Sequence, residues 1–393
     1  EDELSEEKIS ELTDDETVAE ELAKDILSEE KLAELTDDKT VAEDLAENGP
    51  VKEITAAERN NVRKTAAETE STGPNEFIQD FPRIITTPGH YEFLKIAEGC
   101  NKRCTYCIIP YIRGPYRSFP MEQLLQEAAD LAERGVTELI LCAQETSIYG
   151  RDLYQKDMLP ELLRQLAAID GFRWIRVLYC YPEDITEEFL QVMASEPKIC
   201  NYIDLPIQHA SDRILRKMGR RTNQATLRQK IQMARDIVPG IALRTTLISG
   251  FPGETGEDHQ IMMDFIKEIR FDRLGVFTYS REEGTPAYSF EDQIDEEVKT
   301  ARREELMSAQ ELISYENLAG HIGELLDVAV DGYLPEEDVY VGRTYMDAPD
   351  VDGYLFMRSG ISYMSGDFTK ARVTGAREYD LVGEDMAYQE EYV

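Results

Sequence analysis

Apolar residues return at helical spacing over 121–134, 158–168, 185–195, 211–236, 256–269 and 295–319. Between these stretches lie short, continuous apolar runs at 138–142, 174–178, 202–205, 241–248 and 274–278, and an earlier one begins at Tyr91. A strand that is apolar on both faces is covered on both faces, so runs of this kind alternating with helices predict a parallel sheet. Six such units predict an α/β fold, a partial (β/α)6 barrel, with its polar site residues at the carboxyl ends of the strands. From His321 the helical period stops. Short alternating runs at 325–330, 339–341, 353–357 and 368–373, separated by turns rich in Gly or Asp, predict a small all-β, OB-like barrel.

The front of the chain has another texture. Residues 4–23 and 27–46 are a tandem duplication with a period of 23, in which Ile9, Leu12, Val18 and Leu22 answer to Leu32, Leu35, Val41 and Leu45. Each copy predicts two short helices broken at Thr-Asp-Asp. The expected organisation is therefore an acidic helical segment over 1–50, a polar linker over 51–80, a core barrel over 81–320 and the β-barrel over 321–393.

Composition narrows the function. The chain has 393 residues and a formal net charge of -37, of which -16 falls in residues 1–50. A field of that sign repels polyanions, which excludes nonspecific coating of nucleic acid and leaves direct nucleic-acid contact open. No apolar run approaches the roughly 20 residues that a bilayer requires, so no membrane partner is expected. Six cysteines are too few for a disulfide scaffold in a chain this long, and three fall within eight residues, which points to a reducing, cytoplasmic setting and to metal or redox chemistry. Cys142, Cys180 and Cys200 are scattered and are read as small buried hydrophobes.

Cys100, Cys104 and Cys107 follow a strand-like run, with Gly99 easing the turn. Three thiolates from one loop are one short of a closed zinc site, whereas a [4Fe–4S] cluster held by three cysteines keeps one iron open for an amine and a carboxylate. A zinc site, or three thiols that merely share a loop, remain the alternatives. Polar groups cluster after the strands at 144–146, 206–211 and 249–254, as an ammonium, two ribose hydroxyls and an adenine would need.

The spacing C-x-x-x-C-x-x-C, with Tyr106 before the last cysteine, resembles the signature of the radical S-adenosylmethionine (SAM) superfamily. With 91–117, 144–150, 202–211, 245–255, 277–287 and the final module, the chain from about residue 80 onward resembles the radical SAM methylthiotransferases. The segments 108–110, 144–150, 205–210 and 346–350 are similar to those of the branch that modifies an aspartate of small-subunit ribosomal protein S-twelve. The resemblance implies a radical SAM barrel with a TRAM domain, SAM as cofactor and methyl donor, and Cys100, Cys104 and Cys107 as cluster ligands. It places Gln144 and Glu145 at the SAM amino group, Gln208 near the ribose and Ile248 to Gly250 beside the adenine. Tyr106 and Arg244 complete the expected cofactor contacts; parity on its strand decides whether Arg244 is an inward carboxylate clamp or an outward surface residue. Implied partners are protein S-twelve or the small ribosomal subunit, and an electron donor such as flavodoxin or ferredoxin.

One feature departs from the family. Its members hold a second [4Fe–4S] cluster, the sulfur donor, on three amino-terminal cysteines, and residues 1–99 contain none. The sequence starts at Glu1 rather than Met, and the expectation is that its true beginning is missing; otherwise the chain cleaves SAM without inserting sulfur. Two further readings stay open, a tRNA adenosine methylthiotransferase and a noncatalytic ribosome-binding module. The acidic final module weighs against the first and the intact cysteine trio against the second.

Overall fold

In a computed structural model the chain is described at residues 85, 87–386 and 388, so the expected acidic segment and linker lie outside the described residues. From Tyr91, strands and helices alternate: β1 (Tyr91–Lys95), a short β2 (Ala97–Glu98), α1 (Ile109–Arg113), β3 (Arg117–Ser118), α2 (Met121–Glu133), β4 (Glu138–Cys142), α3 (Arg151–Tyr154), α4 (Leu159–Ala167), β5 (Trp174–Val177), α5 (Glu187–Ser195) and β6 (Ile199–Asp204). The pattern continues with α6 (Asp212–Lys217), α7 (Gln224–Ile237), β7 (Ala242–Ser249), α8 (Gly256–Ile269), β8 (Arg273–Thr278) and α9 (Glu296–Ala319). The large sheet runs β1-β4-β5-β6-β7-β8 with every neighbouring pair parallel. This is the expected six-unit α/β arrangement.

One set of alternate strand residues, including Leu94, Leu139, Ile175, Ile203, Leu243 and Leu247, is fully buried. The other set carries Tyr91, Ile140, Trp174, Tyr202 and Ala242 into a second apolar cluster. That cluster continues into the carboxyl-terminal strands β9 (Leu325–Leu334), β10 (Val339–Arg343), β11 (Leu355–Arg358), β12 (Phe368–Ala376) and β13 (Leu381–Asp385), which close as β10-β11-β13-β12-β9. Trp174 meets Phe368 edge to face at 4.8 Å between ring centroids.

The small barrel packs where the sheet strands begin. Tyr91, Glu138 and Arg273 open their strands, and Tyr91 Oη donates to Asp350 (2.7 Å), Arg343 reaches Glu138 (2.7 Å) and Arg273 Nε donates to Asp347 (3.1 Å). The opposite, carboxyl ends of the strands are thereby left for chemistry.

Two elements differ from the sequence reading. The single helix expected over 211–236 is two, because α6 stops at Met218 and Gly219 turns with φ +73° before Asn223 caps α7 through Thr226 N (2.9 Å). The break has a use: Met218 and Lys217 carbonyls accept from Thr105 N and Oγ1, both at 2.9 Å, inside the cysteine loop. The fifth strand of the small barrel, β13, matches none of the four apolar runs read from the sequence.

Candidate functional site

The cysteine loop leaves β2 through Gly99, at φ +80°, where a Cβ would lie 2.2 Å from the Pro115 carbonyl oxygen. Only glycine fits that close approach. Cys100 N donates to the Gly114 carbonyl (3.2 Å), Cys107 N to that of Cys104 (3.1 Å) and Ala287 N to that of Thr105 (2.8 Å), so the loop is fixed at both ends and in its middle. Cys100, Cys104 and Cys107 are free thiols lining one cavity of about 490 Å³ with Asn101, Arg103 and Pro110. Burial pushes the Cys100 thiol up to about 11 and raises that of Cys107.

Among the described residues, no three His, Cys, Asp or Glu side chains form a group that could hold a single metal ion. In an iron–sulfur cluster each thiolate binds a different iron, so the sulfurs need not converge on one point.

Gln144 serves the loop directly: its Oε1 accepts from Gly99 N at 2.7 Å. Glu145 is wholly buried, with Oε1 at 3.5 Å from Lys102 Nζ and Oε2 lacking any protein partner. Burial raises its pKa, against the pull of Lys102. Lys102 also meets Glu183 (3.4 Å) and Asp184 (2.5 Å), so three carboxylates surround one ammonium beside the cysteines.

Gln208 is half-buried at φ +71°, its main chain bonded across to Thr246 (2.9 Å) and Ile248 (2.8 Å) of β7, which sets Gln208 opposite Leu247, with Ile248 next along the strand. Gly250 has φ +71°, and a Cβ there would lie 2.2 Å from Lys299 Cγ. The glycine is thus required by Lys299, independently of any ligand. Tyr106 packs against the apolar group of Ile214, Met218 and Phe251 behind the loop, with burial and the neighbouring Cys104 raising its pKa.

Arg244 points inward, but as an internal tie rather than a free carboxylate clamp. Its Nη1 donates to Asp204 (2.9 Å) and its Nε to Asp352 (3.2 Å) of the small barrel, so two carboxylates of the chain already hold it. His209 is structural: its Nδ1 accepts from Ala210 N and Ser211 N, both at 2.9 Å, and Nε2 lies 3.5 Å from Glu254. Arg213, Arg216, Lys217, Arg220 and Arg221 form a basic run in the sequence but not a single surface patch. Arg213 pairs with Asp258, Lys217 with Asp292, and Arg220 is buried.

Sequence reasoning missed Tyr181, whose ring meets two cations, Lys102 Nζ at 4.6 Å and the Arg220 guanidinium at 4.2 Å from its centroid. Its hydroxyl is 3.7 Å from Cys104 Sγ. The available signal was its place just beyond the end of β5.

Comparison with known proteins gives matches over most of this region. Residues 94–266 match the model of the Radical SAM superfamily, and residues 322–385 match that of the TRAM domain. The chain is 56% identical over 317 residues to the ribosomal protein uS12 methylthiotransferase RimO of Lachnoclostridium phytofermentans, covering 80% of this chain and 72% of that protein. It is 49% identical over 313 residues to the protein of the same name from Clostridioides difficile, covering 80% and 70%. Among solved structures it is similar to the coproporphyrinogen III oxidase HemN of Escherichia coli, a radical SAM enzyme, at 17% identity and a TM-score of 0.46 over 65% of this chain and 67% of that one.

Proposed function

The chain belongs to the ribosomal protein uS12 methylthiotransferases, which are radical SAM enzymes, and from that premise we propose how its own residues serve that activity. The target is an aspartate of uS12, methylthiolated at its β-carbon, with Cys100, Cys104 and Cys107 holding a [4Fe–4S] cluster. The observation that carries this reading is the junction of three free thiols on one braced loop with the buried, unpartnered Glu145 Oε2 at the end of the neighbouring strand.

The donor set fits both groups. Three thiols supply a cluster with one open iron, and a buried carboxylate oxygen without a partner is what an ammonium such as that of SAM would satisfy. When bound, these groups supply one-electron cleavage of a sulfonium and a radical able to take hydrogen from carbon. Around them Gln144 holds Gly99 and thus the loop's entry, and Lys102 keeps Glu145, Glu183 and Asp184 from repelling one another. Gln208, Ile248 and Gly250 line the adjoining strand ends as candidate contacts for the nucleoside, with Tyr106 as backing for the loop.

We assign residues 81–320 to the catalytic barrel and 321–393 to the module that closes its other end. The latter segment holds 16 acidic and 5 basic side chains, a balance that favours a basic protein surface over RNA. A low-potential electron donor such as flavodoxin or ferredoxin completes the reading, in a cytoplasmic setting. No described helix is long and apolar enough to cross a membrane. We take the sulfur to come from a group other than the cluster held by Cys100, Cys104 and Cys107.

The test is to reconstitute the chain anaerobically with iron and sulfide, supply SAM, reductant and a sulfide source, and offer uS12, small subunits or tRNA. The expected product is uS12 heavier by one methylthio group, lost in Cys104→Ala. A product on tRNA alone would overturn the protein-substrate reading.

A further inference from the structure

Tyr181 is held in place from several sides. Its main-chain N donates to Ser147 Oγ (3.2 Å), and the preceding turn is tied to β6 through Tyr179 N to Asp204 Oδ2 (3.1 Å) and Cys180 N to the Asp204 carbonyl (2.9 Å). The ring is clamped by Lys102 and Arg220, and each cation is itself anchored, Lys102 by Asp184 and Arg220 by the Pro206 carbonyl (2.9 Å). What this clamp fixes is the hydroxyl, 3.7 Å from Cys104 Sγ.

Either atom could donate while Cys104 is a thiol. A metal-bound cysteine is a thiolate, however, and then only the phenol carries a proton to give. A hydrogen bond to a ligand sulfur stabilises the more negative, reduced cluster more than the oxidised one, which is one of the protein's means of setting potential. Two cations over the ring draw electron density from it and make the phenol a better donor.

We propose that Tyr181 is a redox-tuning residue: its hydroxyl donates a hydrogen bond to the Cys104 thiolate and raises the one-electron reduction potential of the cluster that Cys104 helps to hold. This rests on the reading of Cys100, Cys104 and Cys107 as cluster ligands, and the experiment separates the two claims. The full chain is reconstituted anaerobically as wild type, Tyr181→Phe and Tyr181→Leu, iron is counted, and the midpoint is read by electron paramagnetic resonance during titration with dithionite, which supplies the single electron taken up.

About four irons per wild-type chain would support the cluster reading by itself, and no iron would refute that reading. With the cluster present, Tyr181→Phe is expected to keep its iron and to have roughly a tenfold smaller ratio of reduced to oxidised cluster at a given potential, a midpoint lower by about 59 mV. Tyr181→Leu should fall at least as far. An unchanged midpoint in Tyr181→Phe would overturn the proposal. So would a fall confined to Tyr181→Leu, which would assign the effect to the ring, or loss of iron from Tyr181→Phe while the wild type retains it, which would make the residue structural.

Discussion

Glu138→Gln tests how the sheet and the small barrel are joined. Glu138 opens β4 and is 1% exposed; its two oxygens separately hold Arg176 Nε at 2.8 Å and Arg343 Nη1 at 2.7 Å, guanidiniums that are 0% and 1% exposed. Removing the charge leaves the two arginines unequally placed. Arg343 keeps Asp331, which takes its Nε at 2.7 Å and its Nη2 at 3.0 Å. Arg176 keeps only the Tyr345 carbonyl (2.7 Å) and the faces of Trp174 and Tyr202, and its Nη2 already lacks a partner.

Breaking a buried pair from one side costs roughly 3–5 kcal/mol, because the remaining charge has lost its water without compensation. At roughly 2–4 °C per kcal/mol for domains of moderate size, the loss corresponds to a fall in Tm on the order of 10 °C. Scanning calorimetry of wild type and Glu138→Gln under one buffer measures it. The double replacement Glu138→Leu with Arg176→Met removes both charges and leaves Arg343 on Asp331, so it should regain at least half of the loss. A Glu138→Gln protein melting with the wild type would refute the reasoning, since it would mean that water already screens this junction.

Two other changes follow from the same geometry. Gly99→Ala puts a Cβ against the Pro115 carbonyl at a φ of +80° and should abolish iron loading while the melt of the iron-free chain changes little; full loading would show that the loop shifts freely. Burial alone would raise the Asp258 carboxyl, but bonds from Arg213, Ser211 and Thr255 outweigh it and hold the group below the ordinary carboxylate range. A depressed folded pKa means stability present above the unfolded value near 4 and lost as pH falls below it, so Asp258→Asn should flatten the acid limb of stability against pH, and an unchanged limb would refute the assignment.

Much of this was legible in the sequence where the physics is local. Continuous apolar strands alternating with helical periods gave the parallel sheet, because burial on both faces leaves its mark on each run. The cysteine spacing was equally plain. What stayed hidden depended on distant partners. Arg244 is tied to Asp204, 40 positions before it, and to Asp352, 108 after it, and no local pattern announces either. The break at Gly219 serves Thr105 on another loop. β13 escaped because its inward positions are Leu381, Gly383 and Asp385, and the last is a carboxylate bonded by the hydroxyls of Tyr363 and Ser359, so hydrophobic alternation fades along the strand. Tyr181 reads as an ordinary aromatic until Lys102 and Arg220 are seen against its ring.

The two ends of the sheet treat buried charge in opposite ways. Where the strands begin, Arg273 meets Asp347 and Arg343 meets Glu138 and Asp331, while Arg176 Nη2 and Gln310 Oε1 are left without a hydrogen-bond partner. Where they end, Glu145 Oε2, Glu183 Oε2 and Arg220 Nε are buried near the cysteines without a hydrogen-bond partner, Glu183 Oε2 having only Arg220 Nη2 at 3.9 Å. An unpartnered buried polar group costs about 1–3 kcal/mol, so a concentration of them is sustained by the matched end and relieved when a ligand arrives. Substitutions at the amino end should therefore move Tm more than SAM affinity, and those at the carboxyl end the reverse. Asp204 and Arg244 link the two ends, since Asp204 bonds Tyr179 N, two residues before Tyr181, while Arg244 bonds both Asp204 and, in the small barrel, Asp352. Arg244→Lys, which retains the charge but not the fork, is the substitution expected to move both quantities together; a change in Tm with SAM affinity untouched would show that the ends are independent.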